Sequence, residues 1–230
     1  GEGPGDRAGW SLDGIGDFDD DDSNDFVVGA PNNSSTAADA GAAYVVTANV
    51  SGTVSLADAE LKLAGEAAAD RAGWSVAEAG DVDDDGDADV VIEAPFADPM
   101  VNETTNDTNA GAAYVVYGDD DTDDVANLSD IGTRIVGEEA GDYAGYSVSS
   151  AGSGDVTCDD YDDVLVGAPG YNATVEGATV EDAGAVYLVA GSEHRAEQRQ
   201  LSEAAGKFVG EGEDDHAGRA VSDAMDATGD

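Results

Sequence analysis

The stretch Asp81-Val82-Asp83-Asp84-Asp85-Gly86-Asp87-Ala88-Asp89 runs directly into Val90-Val91-Ile92-Glu93-Ala94-Pro95. An acidic turn is followed at once by an apolar run, and the pattern occurs three times. Asp17 to Asp25 leads into Phe26-Val27-Val28-Gly29-Ala30-Pro31, and Asp155 to Asp163 leads into Val164-Leu165-Val166-Gly167-Ala168-Pro169. Working outward, Gly1-Glu2, Gly65-Glu66, Gly137-Glu138 and Gly210-Glu211 open four similar segments, spaced 64, 72 and 73 residues apart. Self-similarity at a fixed period is the mark of a repeat architecture.

Each opening continues with Ala8-Gly9-Trp10, Ala72-Gly73-Trp74, Ala144-Gly145-Tyr146 or Ala217-Gly218-Arg219. After the apolar run and a variable polar loop comes Gly41-Ala42-Ala43-Tyr44, Gly111-Ala112-Ala113-Tyr114 or Gly184-Ala185-Val186-Tyr187. A short strand-like piece closes the unit: Leu61-Lys62-Leu63, Thr133-Arg134-Ile135-Val136 or Lys207-Phe208-Val209. The unit thus reads as four short strands between turns. Residues 193–205 form the one segment compatible with a helix, and it is short. Four antiparallel strands per repeat predict an all-β fold of β-propeller blades, about three and a quarter in this chain. The blades span 1–64, 65–136 and 137–209, and 210–230 supplies the first strand and partial acidic loop of a fourth. Gly and Ala beside the aromatics suit strands crowded near a propeller axis. A β-sandwich array is the alternative, but it would not demand so regular an order of motifs.

Composition confines the function. Asp and Glu number 52 against eight Lys and Arg, a formal charge of −44, while 41% of residues are hydrophobic. Apolar residues in short β-prone runs mark a folded chain rather than a disordered one. The charge repels phosphate, which excludes nucleic acid as a partner and argues against an anionic membrane surface. No stretch approaches the roughly 20 apolar residues of a transmembrane segment. The sequence opens with neither an initiator Met nor a signal peptide, which points to a mature or trimmed form. The three loops hold 17 of the 52 acidic residues, so the other 35 still far outnumber the bases. Acid spread along the whole chain reads as adaptation to multimolar salt, where self-repulsion is screened within a few ångströms.

Cys158 is the single cysteine, so the chain holds no internal disulfide. Of nine asparagines, seven begin an Asn-X-Ser/Thr triplet: Asn32, Asn33, Asn49, Asn102, Asn106, Asn127 and Asn172. These are candidate N-glycosylation sites and point to an extracellular or cell-surface location.

Acidic loop, apolar run, Gly-Ala-Pro and Gly-X-X-Tyr in this order resemble the FG-GAP repeat of integrin α-subunit β-propellers, over essentially all 230 residues. Ala stands for the family's Phe before Gly in every repeat, and Glu93 for the Gly of Gly-Ala-Pro. The resemblance implies calcium loops on one face of the propeller and ligands on the opposite one. That opposite face would carry residues 32–40, 96–110 and 170–183, where five of the seven triplets fall.

The acidic loops share one spacing. Asp17, Asp19, Asp21 and Asp25 stand at positions 1, 3, 5 and 9, as do Asp81, Asp83, Asp85 and Asp89, and Asp155, Thr157, Asp159 and Asp163. Alternate positions along a tight turn direct oxygens to one centre, and the backbone carbonyl at position 7 (Ser23, Asp87 or Tyr161) adds another. This is the six-or-more hard-oxygen set that Ca²⁺ takes at about 2.4 Å, whereas Mg²⁺ keeps its waters and takes fewer protein ligands. Position 12 holds Val28, Ile92 and Val166 where an EF-hand has Glu, so the loop must join two strands. Gly86 permits the bend at position 6; Asp22 and Asp160 would strain it. Thr157, a neutral oxygen, makes the third loop the weakest. Cys158, soft and at a non-ligand position, reads as a semi-buried filler. Asp226, Thr228 and Asp230 occupy positions 1, 3 and 5 of a fourth loop.

Catalysis finds little support. His194 and His216 lie in different repeats, no Gly-X-Ser-X-Gly appears, and paired carboxylates are too abundant to mark a glycosidase. The expected function is an extracellular calcium-binding module for recognition, adhesion or cell-envelope scaffolding, with a protein or glycan ligand. The alternative is a non-catalytic propeller accompanying a secreted hydrolase or other enzyme domain outside this chain. Three blades and a strand do not close a ring, so either further repeats or self-association is expected to complete it.

Overall fold

Short apolar runs are punctuated by Gly, Asp and Pro, and the described residues fold as strands with single 3₁₀ turns. The computed structural model describes residues 1–223 apart from 20, 22, 48–49, 103–104, 107, 119–124, 152–154 and 176. Asp226, Thr228, Asp230 and Asn49 lie outside the described residues, as do the side chains of Asn102 and Asn106. Among the described residues no helix is long and apolar enough to cross a membrane.

The first sheet is an antiparallel meander of β1 (Ser11–Gly14), β2 (Phe26–Ala30), β3 (Ala42–Val46) and β4 (Leu61–Ala64). Next come β5 (Val76–Gly80), β6 (Asp89–Ala94), β7 (Met100–Asn102), β8 (Thr105–Asn106), β9 (Ala112–Val116), β10 (Val125–Asn127) and β11 (Thr133–Val136). Strands β5-β6-β9-β11 repeat the meander, and β7 and β8 form a hairpin within the β6–β9 loop. The last group is β12 (Ser147–Ser150), β13 (Val164–Ala168), β14 (Ala173–Val175), β15 (Ala178–Val180), β16 (Ala185–Val189), β17 (Gln198–Gln200) and β18 (Gly206–Val209). Here β12-β13-β16-β18 form the third sheet, and β14 and β15 the hairpin in the corresponding loop. Among the described residues the sheets do not close into a ring. The fold is a partial β-propeller.

Two strands depart from the four-per-sheet plan. β10 leaves its own repeat and pairs in parallel with β4, Val125 opposite Lys62 and Asn127 opposite Ala64. β17 does the same to β11, Arg134 opposite Gln198 and Val136 opposite Gln200. The first two sheets are therefore five-stranded. β17 corrects the expectation of a helical patch over 193–205, which is a strand followed by the 3₁₀ turn Leu201–Glu203. Gln198-Arg199-Gln200 has no apolar stripe to bury as a helix. As an edge strand it leaves Gln198 exposed and Arg199 and Gln200 half-buried, and it gives the open edge of β11 its backbone partners.

The core lies between sheets. Val27, Ala43, Val45 and Leu63 of the first meet Ile92, Tyr114 and Val116 of the second. The other face of the second sheet (Ala77, Val91, Ala113, Val115 and Ile135) meets Val148, Val166, Tyr187 and Val189 of the third. Each buried Val, Leu or Ile contributes about 1.5–3 kcal/mol.

Successive repeats are fastened at one glycine. Gly41, Gly111 and Gly184 form parallel bridges to Ala72, Ala144 and Ala217 of the following opening, all with left-handed backbone. A Cβ on Gly111 would stand 2.1 Å from the Ala144 carbonyl oxygen at φ +81. Gly111→Ala is therefore expected to cost about 2–4 kcal/mol, strain and overpacking together. Gly52, with φ +82 and nothing within 4 Å of a built Cβ, is the control. Gly52→Ala should cost only the strain, and equal losses in thermal melts would contradict the bridge.

Glu93 stands where Gly29 and Gly167 stand in the neighbouring sheets and is fully buried. Burial raises its carboxyl well above the ordinary range.

Candidate metal centre

All three acidic loops join the first two strands of a sheet: β1 to β2, β5 to β6, and β12 to β13. Their ends are pinned by the carboxylate at position 9. Asp25, Asp89 and Asp163 are buried, and each accepts the backbone N–H of position 2: Phe18 at 2.9 Å, Val82 at 2.9 Å and Val156 at 2.8 Å. The carboxylate at position 1 closes the turn from inside. Asp17, Asp81 and Asp155 accept the N–H of position 5, from Asp21 at 3.0 Å, Asp85 at 3.1 Å and Asp159 at 2.8 Å. Asp81 and Asp155 also accept from position 6, from Gly86 at 3.0 Å and Asp160 at 2.7 Å. At position 7, Asp87 and Tyr161 donate their N–H to the position-5 carboxylate, and Ser23 occupies the same place in the first loop.

In the second and third loops the left-handed backbone falls at two positions, not one, while Asp22 of the first loop lies outside the described residues. Gly86 (φ +104) and Asp160 (φ +77) at position 6 are left-handed as expected. So are Asp84 (φ +58) and Cys158 (φ +62) at position 4, which spacing alone did not reveal. Cys158 is exposed in this turn, so it is not the semi-buried filler expected.

The carboxylates converge. Oxygens of Asp17, Asp19 and Asp21 lie within 4.8 Å of one another, as do those of Asp81, Asp83 and Asp89. Ligands on opposite sides of a Ca²⁺, each at about 2.4 Å, span that separation, and the donors are all hard oxygens. The residues fit the ion. Burial, then the charges of Asp25, Asp21 and Asp17, raises the Asp19 carboxyl. Burial pushes Asp89 up to about 8, with Asp83 and Asp85 adding to it against the N–H groups of Val82 and Gly118. In the third loop the Thr157 hydroxyl hydrogen-bonds to Asp163 at 3.2 Å and Asp155 at 3.4 Å, spanning the carboxylates a cation would bridge. N–H donors, Asp160 first, hold Asp155 below the usual carboxylate range.

The second loop has a feature that spacing could not disclose. Arg195, from the segment before β17, pairs with Asp83 and, at 2.6 Å, with Asp85, its guanidinium lying over Tyr117. The loops also touch each other: Asp162 accepts the Asp81 N–H at 2.9 Å, and Ala88 donates to the Asp17 carbonyl at 3.4 Å.

The opposite end of the sheets carries different chemistry. Trp10, Trp74 and Tyr146 precede β1, β5 and β12, so they sit at the ends of these strands away from the acidic loops. The 32–40, 96–110 and 170–183 loops leave β2, β6 and β13 at that same end, because these strands run antiparallel to the first. Trp74 contacts Trp10 at 5.2 Å, Phe96 at 5.4 Å and Tyr146 at 5.6 Å between ring centres. Arg7 and Arg71 lie over these rings. One end is acidic; the other is an aromatic ridge with two of the chain's eight basic side chains.

Among the glycosylation candidates, Asn127 and Asn172 are exposed, and Asn32 is partly so. Asn33 is corrected. Its side chain is buried, and its Nδ2 donates to Tyr44 at 3.1 Å and Asp6 at 3.4 Å, leaving no room for a glycan in the folded chain.

Comparison with protein families matches the FG-GAP repeat to residues 72–116 and 147–189, the acidic loop of the second and third sheets included. No curated protein matches the chain.

Proposed function

From the premise that this chain is an FG-GAP repeat protein, we propose that it is a calcium-stiffened recognition or adhesion module acting outside the cell. FG-GAP repeats are a non-catalytic propeller module often used for adhesion and recognition. The observation that carries the reading is the division of the two ends: converging carboxylates at one, the Trp10–Trp74–Tyr146 ridge and variable loops at the other. Calcium at the first end would fix the strands that hold the second. Rigid aromatic faces beside Arg7 and Arg71 suit a protein or glycan ligand, because they bury area at small conformational cost. The exposed Asn127 and Asn172 are consistent with passage through a secretory glycosylation system.

Protein isolated from its source cells tests the location. Added protease should cleave it on intact cells, and peptides containing Asn172 and Asn127 should carry glycan mass while the Asn33 amide does not. A protein protected until lysis and unmodified at every triplet would overturn the extracellular reading.

A further inference from the structure

Glu93 stands where the other repeats leave no room for a side chain. A Cβ on Gly29 would lie 2.2 Å from the Gly73 carbonyl oxygen, and one on Gly167 would lie 2.0 Å from that of Gly218. In both places a serine fastens the joint: Ser11 Oγ donates to the Gly73 carbonyl at 3.0 Å, and Ser147 Oγ to that of Gly218 at 2.9 Å. Between the second and third sheets this fastening is missing. Glu93 follows Val91 by two residues and so shares its face, towards the third sheet. Its Cβ lies 3.5 Å from the place a Cβ on Gly145 would take. Ser75, the counterpart of Ser11 and Ser147, stands beside the Glu93 carboxyl and makes no hydrogen bond to Gly145. The joint is also wider. A Cβ on Gly145 would stand 2.7 Å from the Ala112 carbonyl oxygen, against 2.3 Å for Gly73 from Ala42 and 2.1 Å for Gly218 from Ala185.

The Glu93 side chain is fully buried, and neither of its carboxyl oxygens has a hydrogen-bond partner among the described residues. The charged and titratable groups on the elements about it are committed elsewhere. Arg71 lies over the Trp74 and Phe96 rings, Glu138 pairs with Lys207, and Asp142 accepts the Glu139 N–H. Tyr114 and Tyr187 lie beside Glu66 and Glu138, and Glu78, at the far end of β5, faces Asp13 and Asp162. Tyr143 and Tyr146 meet only the rings of Phe96 and Trp74. None of these groups bears on Glu93. An ionised carboxylate buried so, with nothing to balance it, costs more than holding the proton.

We propose that Glu93 makes the joint between the second and third sheets a proton-operated latch: the sheets close on the neutral carboxyl, and loss of its proton opens this joint while the serine-fastened joint before it stays shut. Burial holds the carboxyl of the closed joint well above the ordinary range. Opening wets the group and returns it to about 4.3. Between that value and the closed-state value, the open population rises about tenfold per pH unit. The contribution to closure is therefore fully present below about pH 4 and is lost as pH rises through the closed-state value. The effect reaches the aromatic end. The Trp74 N–H donates to the Glu93 carbonyl at 3.3 Å, and Trp74 meets Tyr146 across this same joint at 5.6 Å. Opening parts the ridge in its middle, so, on the reading of that ridge as a ligand surface, raising the pH weakens binding there.

Hydrogen exchange of the whole chain, at constant calcium and multimolar salt, tests the latch without any ligand. The Ala144 N–H, bonded to the Ala110 carbonyl at 2.9 Å, reports this joint. The Ala72 N–H, bonded to the Ala40 carbonyl at 2.8 Å, reports the serine-fastened one. Asp70 and Asp142 cap the two repeat openings alike, so their titration cancels in the ratio of the two protection factors. That ratio, Ala144 over Ala72, should fall about a hundredfold between pH 5 and 7 in the parent chain. It should stay constant in Glu93→Gln, which keeps the shape and cannot ionise. Glu93→Gly, which installs the glycine of the neighbouring repeats, takes its place if Glu93→Gln does not fold, and should also hold the ratio constant. A parent ratio that does not change over this range overturns the proposal whether or not a variant folds, and so does a fall that survives removal of the carboxyl.

Discussion

Chelating divalent cations at fixed ionic strength should lower the thermal midpoint of this protein by about 10–20 °C. A site filled at a hundredfold excess over its dissociation constant adds about 2.7 kcal/mol to the folded state. Two such sites, at Asp17 to Asp25 and Asp81 to Asp89, would therefore add about 5 kcal/mol, and a chain of this size shifts roughly 2–4 °C per kcal/mol. The third loop contributes least, because the Thr157 hydroxyl already joins Asp155 and Asp163. Asp25→Asn and Asp89→Asn should each remove one ion and much of one increment, whereas Asp163→Asn should change metal content least. In the second loop the proposed ion would compete with Arg195 for Asp83 and Asp85. Arg195→Gln should thus tighten calcium there while making the cation-free protein less stable. Elemental analysis beside the melts decides the matter: no bound metal and an unchanged midpoint would remove calcium from the account.

Much of this was readable from the residues because the repeats report the same physics three times. The strand plan followed from Gly-Ala-Pro and Gly-X-X-Tyr recurring between apolar runs, whereas the spacing that marked the position-1 and position-9 aspartates as candidate ligands did not show that they also pin the loops by accepting backbone N–H groups. What escaped was polar, short or dependent on distant sequence. Gln198-Arg199-Gln200 and Val125-Ala126-Asn127 show no period-2 alternation, so nothing local marks them as strands that cross to the preceding sheet. The pairing of Arg195 with Asp83 spans 112 residues. The repeating ion pairs of Lys62 with Glu2, Arg134 with Glu66 and Lys207 with Glu138 also lay in aligned positions, and aligning the scarce cations against the Gly-Glu openings would have found them.

Those scarce cations bear on the second large effect, the response to salt. The formal charge of −44 becomes about −38 when three Ca²⁺ bind, each adding two positive charges. Lowering monovalent salt from above 1 M toward about 0.1 M lengthens the screening distance from about 3 to about 10 Å, enough for neighbouring loops and sheet faces to repel. Circular dichroism along that titration should show cooperative loss of the sheet signal. Mild acid should partly replace salt, and the groups responsible are identifiable. Asp70 and Asp142 cap the repeat openings, accepting the N–H of Ala67 at 3.0 Å and Glu139 at 2.9 Å. Burial raises both to about 6. An unfolded aspartate ionises near pH 4, so between about pH 4 and 6 the folded chain holds protons that the unfolded chain has released. Their contribution is fully present below about pH 4 and lost as pH rises through 6. Going from pH 8 to 5 at low salt should therefore restore about 2–3 kcal/mol through these two groups. Asp70→Asn with Asp142→Asn should flatten this pH dependence while leaving the salt dependence in place. A chain fully folded in dilute buffer at pH 8 would show that its acidity is no adaptation to salt.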